Sequence, residues 1–381
     1  MRILINTVSS KNISGGTFQV AQNFLLKSLE HPDIEWYYFN SKDQDVEIGS
    51  HFKDLLNNRY FVFPSQPDFL GSYKNVQKQL RLLEEQIKPD VIYTIVAPSY
   101  LLFKSKEVMR FTNPWVTQPN KFSWNTLSLK AKIRTKLWCW VQKYFLRKVH
   151  YFITQTDTTK RGLMKITGEP DSHICVVPNV LPALISKQDT TALGSDGWIN
   201  IISPAVAYPH KNLEIIPDVI YKLQKLGINN VRFHTTLPVN NAIYKTIELK
   251  LSNYGLSDRW RNYGIVPQIE LVKIYRQCQM MFLPTLLEVF SVSAIEAMYF
   301  GLPIVATNFS FNTEVFGDAC LYFEPTNAEN AASQISKIIQ SPDLKAELLK
   351  KMKSKLSLYG DYDSHFNAIK EYLIKVAENK I

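Results

Sequence analysis

The residues best suited to chemistry lie in one stretch of the sequence, residues 284–305. Glu288 follows an apolar run that stops at Pro284, and Glu296 lies in a helical pattern that begins near Ser291. An apolar run, a short loop and a helical pattern in this order predict a strand, a loop that can carry a site, and a helix. We therefore expect Glu288 in the loop and Glu296 on the helix.

The start of this predicted helix is a candidate anion site. Ser291 or Ser293 can cap the helix, whose first backbone N–H groups would then point into the loop. Carboxylates repel phosphates, so the two glutamates need a second kind of ligand group. Sugar hydroxyls supply it, because an ionised carboxylate only accepts hydrogen bonds. The structural alternative is a solvated Glu288 and a helix-capping Glu296.

The same stretch carries a family pattern. Glu288 and Glu296 have seven residues between them, and the segments 301–305 (Gly-Leu-Pro-Ile-Val) and 314–319 (Glu-Val-Phe-Gly-Asp-Ala) follow. This arrangement resembles the retaining glycosyltransferases of family 4, the group 1 glycosyltransferases, specifically over residues 203–325 and more weakly before them. The resemblance implies an α/β fold of the GT-B type, in which two Rossmann-like domains face each other across a cleft.

The resemblance also implies catalytic roles for Glu288 and Lys211. The Glu288 carboxylate would face the positive charge that develops at the anomeric carbon of the donor sugar. Lys211 lies at a predicted strand-to-helix turn, where its compact charge can neutralise a diphosphate, although an ordinary surface lysine fits the same pattern. Family members often carry an arginine shortly before this lysine, but residues 204–209 contain none.

Donor-binding contacts are expected at the second glutamate and around it. Glu296 would hold the ribose diol of the donor, as the acidic residue of dinucleotide-binding folds does. The segment 264–267, which contains Val266, resembles the turn that contacts the base in the family. Without the arginine, phosphate binding is expected to depend on Lys211 and on helix-start amides. These amides belong to Phe290, Ser291 and Val292.

A glycine pair, Gly15 and Gly16, precedes the first predicted helix. Such a pair lets the backbone approach an anionic ligand, and in the resembled family this loop lies near donor phosphate and acceptor. The fingerprint Gly-x-Gly-x-x-Gly is absent, which argues against a nicotinamide or flavin enzyme. Many family members carry a histidine after the strand that corresponds to residues 108–112. Here Asn113 follows, which can hydrogen-bond a sugar but cannot act as a base.

Strand-like and helical patterns alternate along the chain, as in parallel α/β sheets. They predict an N-terminal Rossmann-like, acceptor-side domain over residues 1–181. Turn-forming residues without periodicity predict a linker over 182–197. A C-terminal Rossmann-like domain over 198–361 would bind the nucleotide sugar. The last helix, 362–381, is expected to cross back to the first domain.

The composition excludes several classes of protein. No apolar run approaches the ~18 to 20 residues of a membrane span, and no signal-peptide pattern surrounds the first residues, so a cytoplasmic protein is expected. The seven histidines include no i, i+4 pair, so we predict no metal site. The four cysteines lie far apart in apolar contexts, which favours reduced core thiols over disulfides. We expect no cofactor beyond the donor substrate, a UDP- or GDP-linked sugar.

The net charge of +10 is concentrated in residues 121–150, which hold eight basic residues and no acidic one. A helical stripe of apolar residues runs through the segment: Ile133, Leu137, Val141, Tyr144 and Phe145. One interpretation is a core helix with a solvated cationic face. The other is docking to an anionic membrane, since basic residues and tryptophans favour that interface. Nucleic acid is not expected, because no reader motif accompanies the charge.

These observations predict a retaining glycosyltransferase that moves a sugar from a nucleoside diphosphate sugar to a glycan or lipid-linked acceptor. The basic segment suggests bacterial lipopolysaccharide, O-antigen or capsule synthesis, by a protein peripheral to the inner face of the plasma membrane. Two alternatives remain open. One is a GT-B sugar-nucleotide epimerase or hydrolase, and the other is a non-catalytic nucleotide-sugar-binding protein.

Overall fold

The computed structural model describes residues 1–10, 16–55, 58–63, 73–194 and 196–381. The chain forms two compact units. The first comprises Met1–Gln118, Ile133–Pro178 and Asp363–Ile381, and the second comprises Pro119–Lys132 and Asn179–Tyr362. Both ends of the chain therefore lie in the first unit, while residues 119–132, from within the predicted N-terminal domain, group with the second.

Short strands recur through both units. In chain order they are β1 (Arg2–Asn6), β2 (Glu35–Ser41), β3 (Tyr60–Phe63), β4 (Val91–Thr94), β5 (Glu107–Arg110), β6 (Tyr151–Thr154), β7 (Ile174–Val176), β8 (Ile199–Ser203), β9 (Val231–Thr235), β10 (Trp260–Asn262), β11 (Met280–Leu283), β12 (Ile304–Thr307) and β13 (Leu321–Phe323).

Helices alternate with these strands. In chain order they are α1 (Gly16–Ser28), α2 (Lys42–Ile48), α3 (Tyr73–Ile87), α4 (Pro114–Thr117), α5 (Lys121–Asn125), α6 (Leu129–Leu146), α7 (Asp157–Thr167), α8 (Ala183–Ser186), α9 (Ile216–Lys225), α10 (Ala242–Tyr254), α11 (Gln268–Gln277), α12 (Val292–Tyr299), α13 (Ser310–Phe316), α14 (Ala328–Gln340), α15 (Pro342–Leu356) and α16 (Tyr362–Ala377).

The first unit is built on a parallel sheet. Over the described residues its seven strands follow the order β3-β2-β1-β4-β5-β6-β7. Helices cover such a sheet on both faces, which is why all four residues of β4 and of β5 are buried. The ring centroids of Phe24 in α1 and Phe366 in α16 lie 4.7 Å apart. The C-terminal helix is therefore part of the core of the first unit.

The second unit repeats the architecture. In the part of the chain described, its parallel sheet has six strands in the order β10-β9-β8-β11-β12-β13. The strand order reverses at β8, because β9 lies on one side of it and β11 on the other. In open α/β sheets, ligands bind beyond the carboxyl ends of the strands at such a reversal. A ligand site is therefore expected at the loops after β8 and β11.

The apolar stripe predicted for α6 does not face the core. The buried residues of α6 are Cys139, Gln142, Phe145 and Leu146. They lie on the opposite side of the helix from most of that stripe. Ile133, Leu137 and Tyr144 are exposed instead. Phe145 alone of the predicted stripe is buried, because α6 packs on the first sheet through a narrow face. None of the described helices is both long and apolar enough to cross a membrane.

Strand β10 ends before the segment 264–267, the predicted base-contacting turn. It covers Trp260–Asn262, and the backbone then turns at Gly264, whose φ of 73° lies in the left-handed region. An extended strand cannot pass through that conformation. The segment with Val266 is therefore a loop that leads into α11.

Candidate active site

Two predicted site residues, Lys211 and Glu288, follow the adjacent strands β8 and β11. These strands pair in parallel, with Met281 opposite Ile202. Parallel neighbours end at the same edge of a sheet, so the loops that follow them meet there. The backbone N–H of Leu286 donates to the carbonyl of His210 at 2.8 Å and holds the two loops together.

Lys211 and Glu288 form an ion pair between Nζ and Oε2. Their side chains are 19% and 20% exposed, so each charge is largely withdrawn from water but still reachable. Lys211 ends a short 3-10 turn, Pro209–Lys211, and Asn212 follows with a left-handed φ of 54°. The Asn212 amide donates to the carbonyl of Pro284 at 3.3 Å. Asparagine tolerates the left-handed region, so this residue turns the chain and ties the lysine loop to the glutamate loop.

His210 is a neighbour of the ion pair that the sequence analysis did not select. Burial, helped by the charge of Lys211, lowers the pKa of His210 to about 4. The imidazole is therefore neutral at physiological pH, with one donor nitrogen and one acceptor nitrogen. Its ring stacks on Tyr208 with the centroids 5.5 Å apart. The position of His210 next to Lys211 in the sequence could have indicated a site residue. The sequence could not show how far its side chain is withdrawn from water.

Glu296 lies on α12 as predicted, but it is more deeply buried than a ligand-binding residue at the surface would be. It is 4% exposed, and the hydroxyl of Tyr275 donates to its Oε2 at 2.6 Å. Burial raises the pKa of Glu296, while hydrogen bonds from Tyr275 and Gln268 act in the opposite direction. The Tyr275 ring stacks on Phe300 with centroids 5.1 Å apart. The carboxylate is thus held in one position by two neighbours on α11.

The start of α12 has the predicted position but not the predicted cap. Ser291 is the N-cap residue, yet among the described residues its side chain makes no capping hydrogen bond. The helix itself begins at Val292, and Phe290 just before it is buried. The first backbone N–H groups of a helix have no partner inside the helix. An anion is therefore a suitable partner for this end of α12.

Val266 lies close to the Glu296 side of the site. It packs against the apolar cluster that includes Tyr275 and Phe290. Gln268, two residues further on, is the residue that hydrogen-bonds Glu296. The structure therefore brings the predicted base-contacting turn and the predicted ribose-binding residue into one part of the second unit.

Asn120 is a positioning residue that the sequence analysis missed. Its amide Nδ2 donates to the carbonyl of Leu286 at 2.7 Å, two residues before Glu288. Its Oδ1 accepts from the backbone of Ser123 at 3.0 Å in a capping box at the start of α5. The sequence shows the Asn-x-x-Ser capping pattern, but a partner 166 residues away cannot be read from it.

Gly15, Gly16 and Asn113 are the residues of the first unit that the sequence suggested as ligand contacts. Gly16 begins α1, and Gly15 lies outside the described residues. Asn113 is the N-cap of α4, where its Oδ1 accepts from the backbone of Trp115 at 3.1 Å. Its Nδ2 donates to Gln142 at 2.9 Å. Both ends of the Asn113 amide therefore hold the first unit together, which limits what they can offer to a sugar.

Comparison with solved structures shows which known proteins share this fold. Sucrose-phosphate synthase from Thermosynechococcus elongatus superimposes with a TM-score of 0.72 at 14% identity, covering 99% of each chain. Anabaena Alr3699/HepE in complex with UDP gives 0.73 at 15% identity, covering 98% of this chain and 99% of that one. At these identities the likeness concerns the fold, and it confirms the predicted GT-B architecture.

The sequence of the second unit matches a model of a known family. Residues 199–355 match the family model described as Glycosyl transferases group 1. The O-antigen chain mannosyltransferase B of Escherichia coli is 30% identical over 92 residues, which are 24% of this chain and 24% of that protein. The matched stretch is thus about a quarter of that relative's length.

Proposed function

We propose that the protein is a retaining, metal-independent hexosyltransferase that uses a nucleoside diphosphate sugar as its donor. The observation that carries the proposal is the Lys211–Glu288 pair at the reversal point of the second sheet. A cation beside a carboxylate suits a transition state in which a diphosphate leaves with negative charge and the anomeric carbon becomes positive. The group 1 glycosyltransferase match over the same residues supports it.

In this proposal Lys211 stabilises the leaving diphosphate. An ammonium group has three donors, so Nζ can keep its bond to Glu288 and still donate to phosphate oxygens. The backbone N–H groups at the start of α12 add a second, uncharged contribution from Phe290, Ser291 and Val292. Together they would do the work for which other transferases use a metal ion.

Glu288 and Glu296 serve different ends of the donor. The Glu288 carboxylate would lie opposite the anomeric carbon, where positive charge develops. Glu296 would accept hydrogen bonds from the ribose diol with the lone pairs that Tyr275 and Gln268 leave available. The base would contact the loop around Val266.

Retention of configuration would follow from attack on the face that the diphosphate leaves. The bond between the anomeric carbon and the phosphate oxygen breaks, and the bond to the acceptor oxygen forms on the same face. The acceptor hydroxyl gives its proton to the departing phosphate oxygen. No protein nucleophile and no histidine base is needed, which agrees with Asn113 at the position of the family histidine.

The acceptor we propose is a glycan or a lipid-linked glycan of bacterial surface polysaccharide synthesis, such as lipopolysaccharide, O-antigen or capsule. Similarity to an O-antigen chain mannosyltransferase supports this class. A structural neighbour bound to UDP supports a UDP-linked donor, and a GDP-linked donor remains the other candidate. A lipid-linked acceptor would place the protein at the inner face of the plasma membrane.

The test is product analysis with UDP- and GDP-sugars, each with and without a panel of lipid-linked glycan acceptors. We expect one donor to give an acceptor-dependent product whose new linkage keeps the anomeric configuration of the donor. Loss of that product in Lys211→Met, but not in Lys245→Met at an exposed lysine of α10, would assign it to the site. An inverted linkage would contradict the mechanism. Turnover of the donor alone, at the same rate with and without acceptor, would identify a hydrolase or epimerase instead.

A further inference from the structure

The solvent side of α6 carries a continuous row of large apolar residues. Four of them lie four, three and four positions apart, and this spacing puts them on one face of a helix. We call them the exposed apolar stripe: Ile133 (62% exposed), Leu137 (62%), Trp140 (66%) and Tyr144 (50%). The opposite face, which includes Cys139 and Leu146, packs into the core of the first unit with Met109 and Phe152. The stripe therefore cannot turn inward without giving up that packing.

Basic residues border the stripe. They are Arg134, Lys136 and Lys143 on α6, with Arg147 and Lys148 in the turn after it. No acidic residue occurs between residues 121 and 156. Lys148 lies over the ring of Tyr144, 5.4 Å from its centroid. The surface thus combines an apolar centre with a cationic border.

We propose that the exposed apolar stripe docks this protein on an anionic lipid bilayer. The basic side chains would contact lipid phosphates, while Trp140 and Tyr144 would lie at the headgroup level, where aromatic residues are favoured. Ile133 and Leu137 would reach the upper acyl chains, as the apolar face of an interfacial helix does. This inference rests on the proposed function, because docking would serve to bring the transferase to a lipid-linked acceptor.

Charge and chemistry together favour a bilayer over other partners. A second copy of the chain would bring two cationic borders together, and their like charges would oppose association. A nucleic acid would pair with the cations but leave the side chains of Ile133 and Leu137 in water, since its affinity comes mainly from phosphates. A bilayer matches both parts of the surface, because it offers anionic groups next to a hydrocarbon region.

Trp138 is close in sequence but belongs to a different face. Its indole Nε1 donates to the hydroxyl of Tyr100 at 3.2 Å, and Gln142 donates to the same hydroxyl at 3.1 Å. Tyr100 also packs edge-on against Phe145. These contacts fix α6 on the first unit, so the stripe is presented by a firmly held helix.

The test is flotation of the full-length protein with vesicles of phosphatidylcholine alone or mixed with phosphatidylglycerol. We compare the wild type, the double variant Leu137→Glu/Trp140→Glu, and the control Leu249→Glu, which changes a 63% exposed leucine of α10 in the second unit. The wild type and the control should float with the anionic vesicles. The double variant should lose at least about tenfold in partition, because it removes apolar insertion and adds charge that the anionic surface repels.

Three results would overturn the proposal. The first is a wild type that does not float with anionic vesicles at low salt, and the second is a double variant that floats as well as the wild type. The third is a concentration-dependent dimer in sedimentation that the double variant abolishes, which would identify a second copy as the occupant. Stabilisation of the double variant by UDP or GDP tests the donor site separately. Failure of lipid docking and failure of the proposed transferase activity are therefore distinguishable.

Discussion

Lys211 and Glu288, 77 residues apart in the sequence, form an ion pair in which each side chain is about one-fifth exposed. They come from the loops after two neighbouring parallel strands. An ion pair so placed can separate or share its charges with a ligand at low cost, because the residual exposure to water lowers the penalty for an unpaired charge.

The first prediction concerns the coupling of this pair. In chemical unfolding, Lys211→Met and Glu288→Gln should each lower the free energy of unfolding modestly, and the double variant should lose less than the sum. We expect a coupling of about 1 kcal/mol, between the values of exposed and buried pairs. Additive effects would show that the two side chains do not interact in solution.

The second prediction concerns Tyr275, whose hydroxyl donates to Glu296 at 2.6 Å. Tyr275→Phe should lower the free energy of unfolding by about 1 to 3 kcal/mol, because it leaves a buried carboxylate with one hydrogen bond fewer. It should also weaken nucleotide binding, measured by calorimetry, since Glu296 is no longer held in place. Tyr244→Phe is the control, because the hydroxyl of Tyr244 bonds to Glu248 on the surface of α10. Equal effects at the two tyrosines would argue against a special role for the Glu296 contact.

The third prediction separates the two functions of Asn120. Asn120→Asp keeps an oxygen that can cap α5 but replaces the donor to the Leu286 carbonyl with an acceptor. If this hydrogen bond positions the Glu288 loop, kcat for sugar transfer should fall about tenfold while helix stability is kept. Ser123→Ala, which removes only the other half of the capping box, should leave kcat near the wild-type value. The reverse order of effects would make the cap, rather than the Leu286 contact, the important feature.

The fourth prediction is a pH dependence of stability in the first unit. Burial raises the pKa of Glu107 from 4.5 to about 7, against a hydrogen bond from Thr94 that lowers it. Between these values the folded state binds more protons than the unfolded state, so Glu107 makes stability fall as pH rises from about 4.5 to about 7. Above pH 7 the full penalty, about 3 kcal/mol, remains.

Glu107→Gln is the variant that reveals this contribution. The difference in free energy of unfolding between variant and wild type should grow in favour of the variant as pH rises through that window. The difference is the right quantity, because buried histidines such as His234, whose pKa is lowered to about 4, contribute the opposite slope. A difference that stays constant from pH 4.5 to 8 would show that Glu107 does not titrate there.

Local patterns in the sequence predicted that Glu288 and Lys211 lie in loops after strands, and the family resemblance implied their catalytic roles, which stay predictions. Each follows a buried strand, and the carboxyl ends of parallel strands gather ligands. The sequence could not show that Asn120 hydrogen-bonds Leu286, because that contact joins distant parts of the chain. It also could not show that His210 is half-buried.

Helix α6 shows a second limit. Apolar periodicity predicts that one face of a helix is buried, but it does not identify the face when two candidates exist. Here the residues toward the core, Cys139 and Gln142, form the less apolar face, and Leu137 and Trp140 are exposed. Such an inversion is expected where function places apolar side chains in contact with something other than the core.

A nucleotide site at Lys211 and Glu288 is the central feature of the proposed function. The most direct measurement is the shift in melting temperature caused by UDP and GDP in the wild type, Lys211→Met and the control Lys245→Met. At about 100 times its dissociation constant, a nucleotide should stabilise the wild type and the control by roughly 2.7 kcal/mol, and Lys211→Met by much less. Equal shifts in all three proteins would contradict a donor site at this ion pair.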